Sequence, residues 1–211
     1  KHIHSSTRVV CIQNGAGSEE IVRTLVKSPV VRAITYISGE MIAPGQVKLV
    51  GLQPTYFEKK DQDIALLFDK VGLETVVVSD LRPQIWKKLV FNCVINGLGT
   101  ILGVPNNQLD TPLLSNIKKR VVDECLLVAK AEHIELDENL LDQINIFIKF
   151  STNVNSTLQD LRRGKGTEVV YLNGVIVRLG EEHKIATPVN KIILNLIKFY
   201  EYNGHFKSPI I

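Results

Sequence analysis

The hydrophobic pattern changes about 80 residues into the chain. Up to that point, short β-branched runs alternate with turn residues and amphipathic stretches, which predicts strands and helices in alternation. Strands are expected at 8–14, 30–38, 46–52 and 74–80, with helices at 18–27 and 61–71. Alternation of this kind is typical of an α/β layer. No G-x-G-x-x-G follows a strand in these residues, so the usual pyrophosphate-binding loop is missing and the layer reads as the second part of a larger domain.

From residue 81 onward the apolar positions recur with a helical period and strand-like alternation disappears. Helices are expected at 82–102, 110–133, 137–163, 167–183 and 188–202. The sequences Asp110-Thr111-Pro112 and Thr187-Pro188 each place a capping residue before a proline, which is typical of a helix start. We therefore predict two domains, residues 1–80 and residues 81–211, the second all-helical.

The segment 86–96, WKKLVFNCVIN, carries polar residues where a buried helix should be apolar. Lys88, Asn92 and Asn96 recur every four residues and so lie about 40° apart around a helix, on one face. Burying such groups without partners costs about 2–7 kcal/mol each. The stripe must therefore meet other polar groups, in an internal network, at a wet face or at a ligand.

A second set of polar residues, Asn153, Ser156 and Asp160, has spacings of three and four. In the predicted helix 137–163 these side chains share one face. Glu168 follows shortly afterwards, at the expected start of the next helix, where the helix dipole favours a carboxylate. Taken alone, Asp160 is better explained as a solvated or salt-bridged residue, and Thr167 with Glu168 as an ordinary helix start.

Composition narrows the classes of protein to consider. The chain has 211 residues, 45% of them hydrophobic, which suffices for a substantial core. A net charge of +3 with dispersed basic residues makes nucleic acid an unexpected partner. The three cysteines match neither a disulfide framework nor a metal site, and the five histidines (2, 4, 133, 183 and 205) read as surface residues, so no metal is expected. With no signal peptide and no apolar run long enough for a bilayer, we expect a cytoplasmic protein with no membrane partner.

The order and identity of four motifs resemble the ketopantoate reductase (2-dehydropantoate 2-reductase) family. They are VVCIQNGAGSEE near the start, WKKLVFNCVIN, NVNSTLQDLRRGKGTEVVYLNG, and IATPVN at 185–190. The resemblance covers essentially the whole chain. It implies a partial Rossmann-type NADP-binding domain followed by an all-helical substrate-binding domain like the C-terminal domain of 6-phosphogluconate dehydrogenase.

The resemblance also implies a role for each polar residue. The implied substrate-binding residues are Asn92, Asn96, Asn153 and Ser156. Lys88 resembles the catalytic lysine, Glu168 the carboxylate that orients substrate and cofactor ribose, and Asn14 the asparagine between nicotinamide and substrate. Asp160 matches an aspartate with a supporting role. The implied reaction is NADPH-dependent reduction of 2-dehydropantoate to pantoate, on the way to pantothenate and coenzyme A, in a site between the two domains.

The chemistry of a lysine fits this reaction. Hydride transfer to a ketone develops negative charge on the carbonyl oxygen, and an ammonium can stabilise that charge and donate the proton.

Two departures from the family pattern bear on substrate choice: Gly97 replaces a proline, which should loosen the helix, and Val170 replaces an acidic residue. One alternative is a reductase of another branched or aromatic 2-oxoacid. The other is a non-catalytic helical dimerisation or binding module, should the nucleotide-binding half be absent. A homodimer is one assembly that apolar helix faces would allow.

Overall fold

The structure is a computed structural model that describes residues 3, 4 and 6–204, and its contacts divide into two units. One unit takes in the described residues up to 13 together with 17–85. The other takes in residues 14–16 and those from 86 onward. His2 and His205, expected at the surface, lie outside the described residues. The domain boundary after residue 80 stays a prediction.

The first unit is built on a mixed four-stranded sheet. Its strands and helices are β1 (Val9–Cys11), α1 (Ser18–Leu25), β2 (Val30–Thr35), β3 (Ser38–Ala43), β4 (Gln46–Gly51), β5 (Thr55–Glu58), α2 (Gln62–Lys70) and β6 (Thr75–Val78). The sheet order is β1-β2-β5-β6, with β1 parallel to β2, β2 antiparallel to β5, and β5 parallel to β6. The small core of this unit comprises Val31, Ala33, Phe57 and Ala65.

The strand predicted at 46–52 does not join that sheet. It forms β4, which pairs only with β3 in an antiparallel hairpin. Pro44 and Gly45 make the turn: proline presets its own backbone angle, and Gly45 adopts φ +76°, which favours glycine. The strand predicted at 30–38 likewise ends earlier, at Thr35, and Ser38 begins the hairpin.

Helices make up the second unit. They are α3 (Arg82–Leu102), α4 (Ser115–Ala131), α5 (Leu140–Phe150), α6 (Ser156–Arg162), α7 (Asn173–Glu182) and α8 (Pro188–Asn203). Short 3-10 turns at Asn106–Leu109, Pro112–Leu114 and Val169–Tyr171 connect them. A single large apolar core runs through the unit. α3 contributes much of it, including Leu89, Val90, Cys93 and Val94, all at most 1% exposed.

The prediction of one long helix over 137–163 is wrong. The helix stops at Phe150, and a new helix begins at Ser156. Asn106 holds the segment in between with two hydrogen bonds. Its backbone N–H donates to the backbone carbonyl of Asn153 (2.9 Å), and its side-chain Nδ2 donates to Ser151 Oγ (3.0 Å). Asn155 caps α6 by accepting from Leu158 N (3.0 Å). Ser and Asn side chains compete with helical hydrogen bonding in this way, so a run of them favours a break.

One predicted helix start and one predicted cap need correction. The helix predicted from residue 167 begins as the 3-10 turn, with α7 proper starting only at Asn173. Thr111 caps the turn Pro112–Leu114 as expected, accepting from Leu113 N (3.4 Å). Thr187 precedes α8, but its side chain makes no capping bond. The buried Glu124 of α4 caps α8 instead, accepting from Val189 N and Asn190 N, both at 2.9 Å.

Gly97 does not interrupt α3, which is helical from Arg82 to Leu102. A Cβ at this position would lie only 2.9 Å from Cγ2 of Ile193 on α8. The glycine therefore lets α8 approach α3 closely, and the expected loosening of the helix was wrong.

Cys11, Cys93 and Cys125 are free and buried. Burial raises the pKa of the Cys93 thiol well above its ordinary value, and its hydrogen bond with Cys125 acts in the same direction. All three cysteines are core residues, at most 1% exposed. None of the helices in the described ranges is both long and apolar enough to cross a membrane. The cytoplasmic location stays a prediction. So does the homodimer, although Ile192, Leu196 and Phe199 expose apolar side chains on α8.

Candidate active site

The polar stripe lies on α3, as the sequence predicts, and is one residue longer than expected. Lys88, Asn92, Asn96 and Thr100 follow one another at intervals of four along an unbroken helix, with successive Cβ atoms about 6 Å apart. Exposure falls along the stripe. Lys88 and Asn92 are half-buried, Asn96 is 6% exposed and Thr100 is fully buried. The stripe thus runs from the half-buried Lys88 into the interior.

Asn96 joins α3 to the start of α6. Its amide nitrogen donates to Ser156 Oγ and to Thr157 Oγ1, each at 3.2 Å. Both amide hydrogens are thereby used, and the side chain offers its carbonyl oxygen as an acceptor for another group. Ser156 is exposed, and because its oxygen accepts from Asn96, its own proton points elsewhere. The pair therefore presents one acceptor and one donor side by side.

Thr100 and Asn155 fix the same junction deeper in the unit. Thr100 Oγ1 donates to Asn155 Oδ1 (3.0 Å), the atom that also caps α6. Gly99 makes this possible, because a Cβ there would lie 2.7 Å from Asn155 Nδ2. Asn155 is 6% exposed, so its removal would leave the Thr100 hydroxyl unpaired in the core.

Asn153 is placed differently from the sequence expectation. It lies in the extended segment before α6 and is exposed, so it shares no helical face with Ser156 and Asp160. Its backbone carbonyl is held by Asn106, which leaves the side chain at the surface beside the junction. Asp160 lies on α6 one turn beyond Ser156 and is half-buried. The roles predicted for these two side chains stay predictions.

Asn14 and Glu168, 154 residues apart in sequence, are in direct contact. The Asn14 amide donates to Glu168 Oε2 at 3.2 Å. The following residue, Gly15, packs against the backbone of Tyr171: a Cβ on Gly15 would lie 2.4 Å from the Tyr171 carbonyl oxygen. The loop that carries Asn14 is therefore seated on the 3-10 turn directly after Glu168.

The chemistry of the side chains defines what each residue can do. Lys88 supplies a positive charge and a proton, Glu168 supplies an acceptor for hydroxyl groups, and the carboxamides and Ser156 supply neutral donors and acceptors. Such a set suits a small substrate with a carbonyl, a carboxylate and a hydroxyl. Within the part of the chain that the structure describes, no group of His, Cys, Asp or Glu residues is arranged to hold a metal ion.

Several residues that organise the site escaped the sequence reasoning. They are Thr100, Asn155, Thr157 and Glu124. The spacing of four that singled out Lys88, Asn92 and Asn96 continues to Thr100 and could have found it. Nothing in the local sequence distinguishes Glu124 from a surface glutamate, since its partners lie 65 and 66 residues away.

Comparison with known protein families shows which family the chain belongs to. The sequence model described as "Ketopantoate reductase PanE/ApbA C terminal" matches residues 80–201, and the model "Ketopantoate reductase PanE/ApbA" matches residues 1–62. The chain belongs to the ketopantoate reductase family. Its curated relatives include a 2-dehydropantoate 2-reductase of Pyrococcus abyssi, 33% identical over 94% of this chain and 69% of the relative. The corresponding protein of Pyrobaculum aerophilum is 30% identical over 94% and 71%.

Solved structures of the family share this fold. A ketopantoate reductase from Ralstonia eutropha JMP134 superposes with a TM-score of 0.89 at 30% identity, covering 96% of this chain and 69% of that one. A D-mandelate dehydrogenase bound to NADH and anilino(oxo)acetate superposes with a TM-score of 0.88 at 29% identity, covering 96% and 70%. The predicted fold class, a Rossmann-like part followed by a helical part, is confirmed. Family membership also makes the protein an oxidoreductase.

The seating of the Asn14 loop can be tested with two glycines. Gly17→Ala should lower the free energy of unfolding by about 1–2 kcal/mol, because its φ is +90° and nothing lies near the added methyl group. Gly15→Ala, at φ +80°, should lower the free energy of unfolding by about 1–3 kcal/mol more than Gly17→Ala does, because the added methyl group also clashes with the Tyr171 carbonyl oxygen. Urea denaturation measures both. Equal losses would show that the loop is not clamped on the turn.

Proposed function

We propose that the protein reduces 2-dehydropantoate (ketopantoate) to pantoate with NADPH as hydride donor, in the route to pantothenate and coenzyme A. The observation that carries the proposal is the half-buried lysine at the head of the α3 stripe, in a chain of the ketopantoate reductase family. Membership of that family favours an enzyme over the non-catalytic helical module. Curated relatives at about 30% identity carry the name of this reaction.

Lys88 acts as the general acid in this proposal. As the ketone becomes an alcohol, negative charge grows on its oxygen, and the ammonium both stabilises that charge and delivers the proton. The stripe places neutral amides directly after the lysine, so the substrate is held without a second fixed charge that would compete with the reacting oxygen. Asn92, one turn from Lys88, is within reach of the same substrate.

Asn96 and Ser156 supply selectivity. The free carbonyl oxygen of Asn96 accepts from the hydroxyl that distinguishes ketopantoate, while the Ser156 hydroxyl donates to the substrate carboxylate. Asn153, exposed beside this junction, contributes a further polar contact. A site built to bond a hydroxyl discriminates against an analogue that lacks it, because its polar group is then left unpaired.

Asn14 and Glu168 fit the nicotinamide end of a dinucleotide. Their contact leaves further acceptor capacity on the carboxylate for ribose hydroxyls, and the Asn14 amide borders it. When bound, the nicotinamide supplies the hydride. A nicotinamide cofactor is also present in the D-mandelate dehydrogenase neighbour, which holds NADH. The choice of NADPH follows from the family resemblance.

A second candidate substrate class is a 2-oxoacid with an aromatic or other branched side chain. The specific observation in its favour is the D-mandelate dehydrogenase, which superposes as well as the ketopantoate reductase does and was solved with anilino(oxo)acetate. Under this alternative Lys88 keeps its role, while the Asn96 carbonyl does not meet a substrate hydroxyl.

Replacement of Lys88 tests the reaction. Lys88→Ala should lower kcat by about 10²–10⁴-fold, because the proton donor is lost. The readout is oxidation of NADPH, followed by absorbance, with ketopantoate as substrate. Lys87→Ala, the neighbouring half-buried lysine on a different face of α3, is the matched control and should keep nearly full activity. Equal effects of the two substitutions would remove Lys88 from the chemistry.

A pair of substrates tests the role of Asn96. Trimethylpyruvate has the branched skeleton of ketopantoate without its hydroxyl, so the intact protein should prefer ketopantoate in kcat/KM. Asn96→Ala should reduce that preference by about tenfold, the value of one hydrogen bond of about 1.4 kcal/mol. A wild-type preference for trimethylpyruvate or phenylglyoxylate would support the alternative substrate class. An unchanged preference in Asn96→Ala would contradict the hydroxyl contact.

A further inference from the structure

Glu124, Asn190 and Asn173 form a continuous hydrogen-bonded chain through the core of the second unit, here called the buried relay. Glu124 is 7% exposed, and both asparagines are fully buried. The chain starts on α4, passes through the first turn of α8 and ends at the first residue of α7. Each of the three side chains has at least one hydrogen-bonded partner, although Asn173 Oδ1 has none, so loss of one member leaves further buried polar groups unpaired.

The relay has three links of ordinary hydrogen-bond length. The Glu124 carboxylate accepts from the Asn190 amide (2.7 Å) as well as from the two backbone N–H groups that it caps. Asn190 Oδ1 accepts from Asn173 Nδ2 (2.9 Å). Asn173 Nδ2 also donates to the backbone carbonyl of Cys93 (3.2 Å). The series of hydrogen bonds thus begins at the Glu124 carboxylate, passes through the side chains of Asn190 and Asn173, and ends at the backbone of α3.

Asn173 and Cys93, which form the last hydrogen bond of the relay, both lie close in sequence to residues of the proposed site. Cys93 is adjacent to Asn92 and lies within the turn that ends at Asn96. Asn173 is five residues after Glu168, with the turn Val169–Tyr171 and Leu172 between them. The Asn173 side chain is therefore the point at which the segment carrying Glu168 is tied to the helix carrying the polar stripe.

Gly97 allows a close approach beside this tie. A Cβ on Gly97 would lie 2.9 Å from Ile193 Cγ2, which is a clash, and 3.5 Å from Asn173 Oδ1, which is an ordinary van der Waals contact. The glycine hence lets α8 approach α3 at the turn that holds Asn92 and Asn96, next to Asn173. The close approach and the hydrogen bond act at the same place.

We propose that Asn173 is a positioning residue, held by Asn190 and Glu124, that sets the Glu168 carboxylate relative to the α3 stripe. The inference rests on the proposed function, since it assigns Asn173 an effect on a reaction at that site. Asn173 touches neither substrate nor cofactor. Its effect passes through Glu168, and a misplacement of about 1 Å in a catalytic set can cost about 100-fold in rate.

A double-mutant cycle on kcat/KM separates this role from a general contribution to stability. Asn173→Ala and Glu168→Gln are made singly and together, and ketopantoate reduction is measured for all four proteins. Asn173→Ala alone should lower kcat/KM by about 10- to 100-fold. In the Glu168→Gln background the same change should lower it less than about threefold, because the residue through which Asn173 acts is already impaired.

Two further variants keep the test decisive. Ile144→Val removes a methyl group from a fully buried core residue outside the relay, so it controls for lost stability and should lower the melting temperature with little change in kcat/KM. Should Asn173→Ala fail to fold, Glu124→Gln replaces it in the cycle. That change keeps the size of the side chain but turns an amide toward the N–H groups of α8.

The outcomes separate the inference from the proposed function. Equal fold-losses in both backgrounds, an unchanged kcat/KM in Asn173→Ala, or no effect of Glu168→Gln alone would each overturn the positioning role. A wild-type protein that reduces no 2-oxoacid at all would instead overturn the proposed function. Strong coupling with an active wild type supports both.

Discussion

The structure of the second unit depends on pairing the polar groups that α3 carries into its core. A helix that buries Leu89, Val90, Cys93 and Val94 also presents Asn96 and Thr100 at 6% and 0% exposure. Unpaired, each of these groups would cost about 1–3 kcal/mol. Asn96 is paired by Ser156 and Thr157, and Thr100 by Asn155, so the start of α6 is fixed where the stripe requires it.

The same requirement links α4, α7 and α8. Glu124 satisfies the first amides of α8, which no residue of α8 itself caps, and the dipole of that helix favours the carboxylate there. Through Asn190 and Asn173 the contact extends to the backbone of α3. Two separate groups of hydrogen bonds therefore hold α3, one from the start of α6 and one from α7 and α8. Lys88 and Asn92, at the half-buried end, are left facing a more accessible region.

The sequence correctly predicted the features that depend on local periodicity. Its predictions were wrong where residues distant in sequence determine the local structure. The α3 helix, its stripe and the helices α4 and α8 follow from the 3.6-residue period and are found within a few residues of their expected bounds. The helix over 137–163 was wrong because Asn106, about 45 residues away, pairs with Ser151 and Asn153 and stabilises an extended segment. Asn153 was therefore assigned to a helical face that it does not share.

Some features of the candidate site have no local signal at all. The contact between Asn14 and Glu168 spans 154 residues, and only the resemblance to a family suggested that both belong to one site. The role of Gly97 was also misjudged, because a glycine inside a helix signals flexibility until its neighbour Ile193 is known. Tertiary packing at these positions outweighs the intrinsic preference of the residue.

A crystal structure of the protein with NADPH and a non-reducible ketopantoate analogue tests the central claim most directly. The account predicts that the analogue lies along the α3 stripe, with its carbonyl oxygen within hydrogen-bond distance of Lys88 Nζ and its hydroxyl on the Asn96 carbonyl oxygen. An analogue bound away from α3, or one whose carbonyl oxygen meets no part of Lys88, would contradict it.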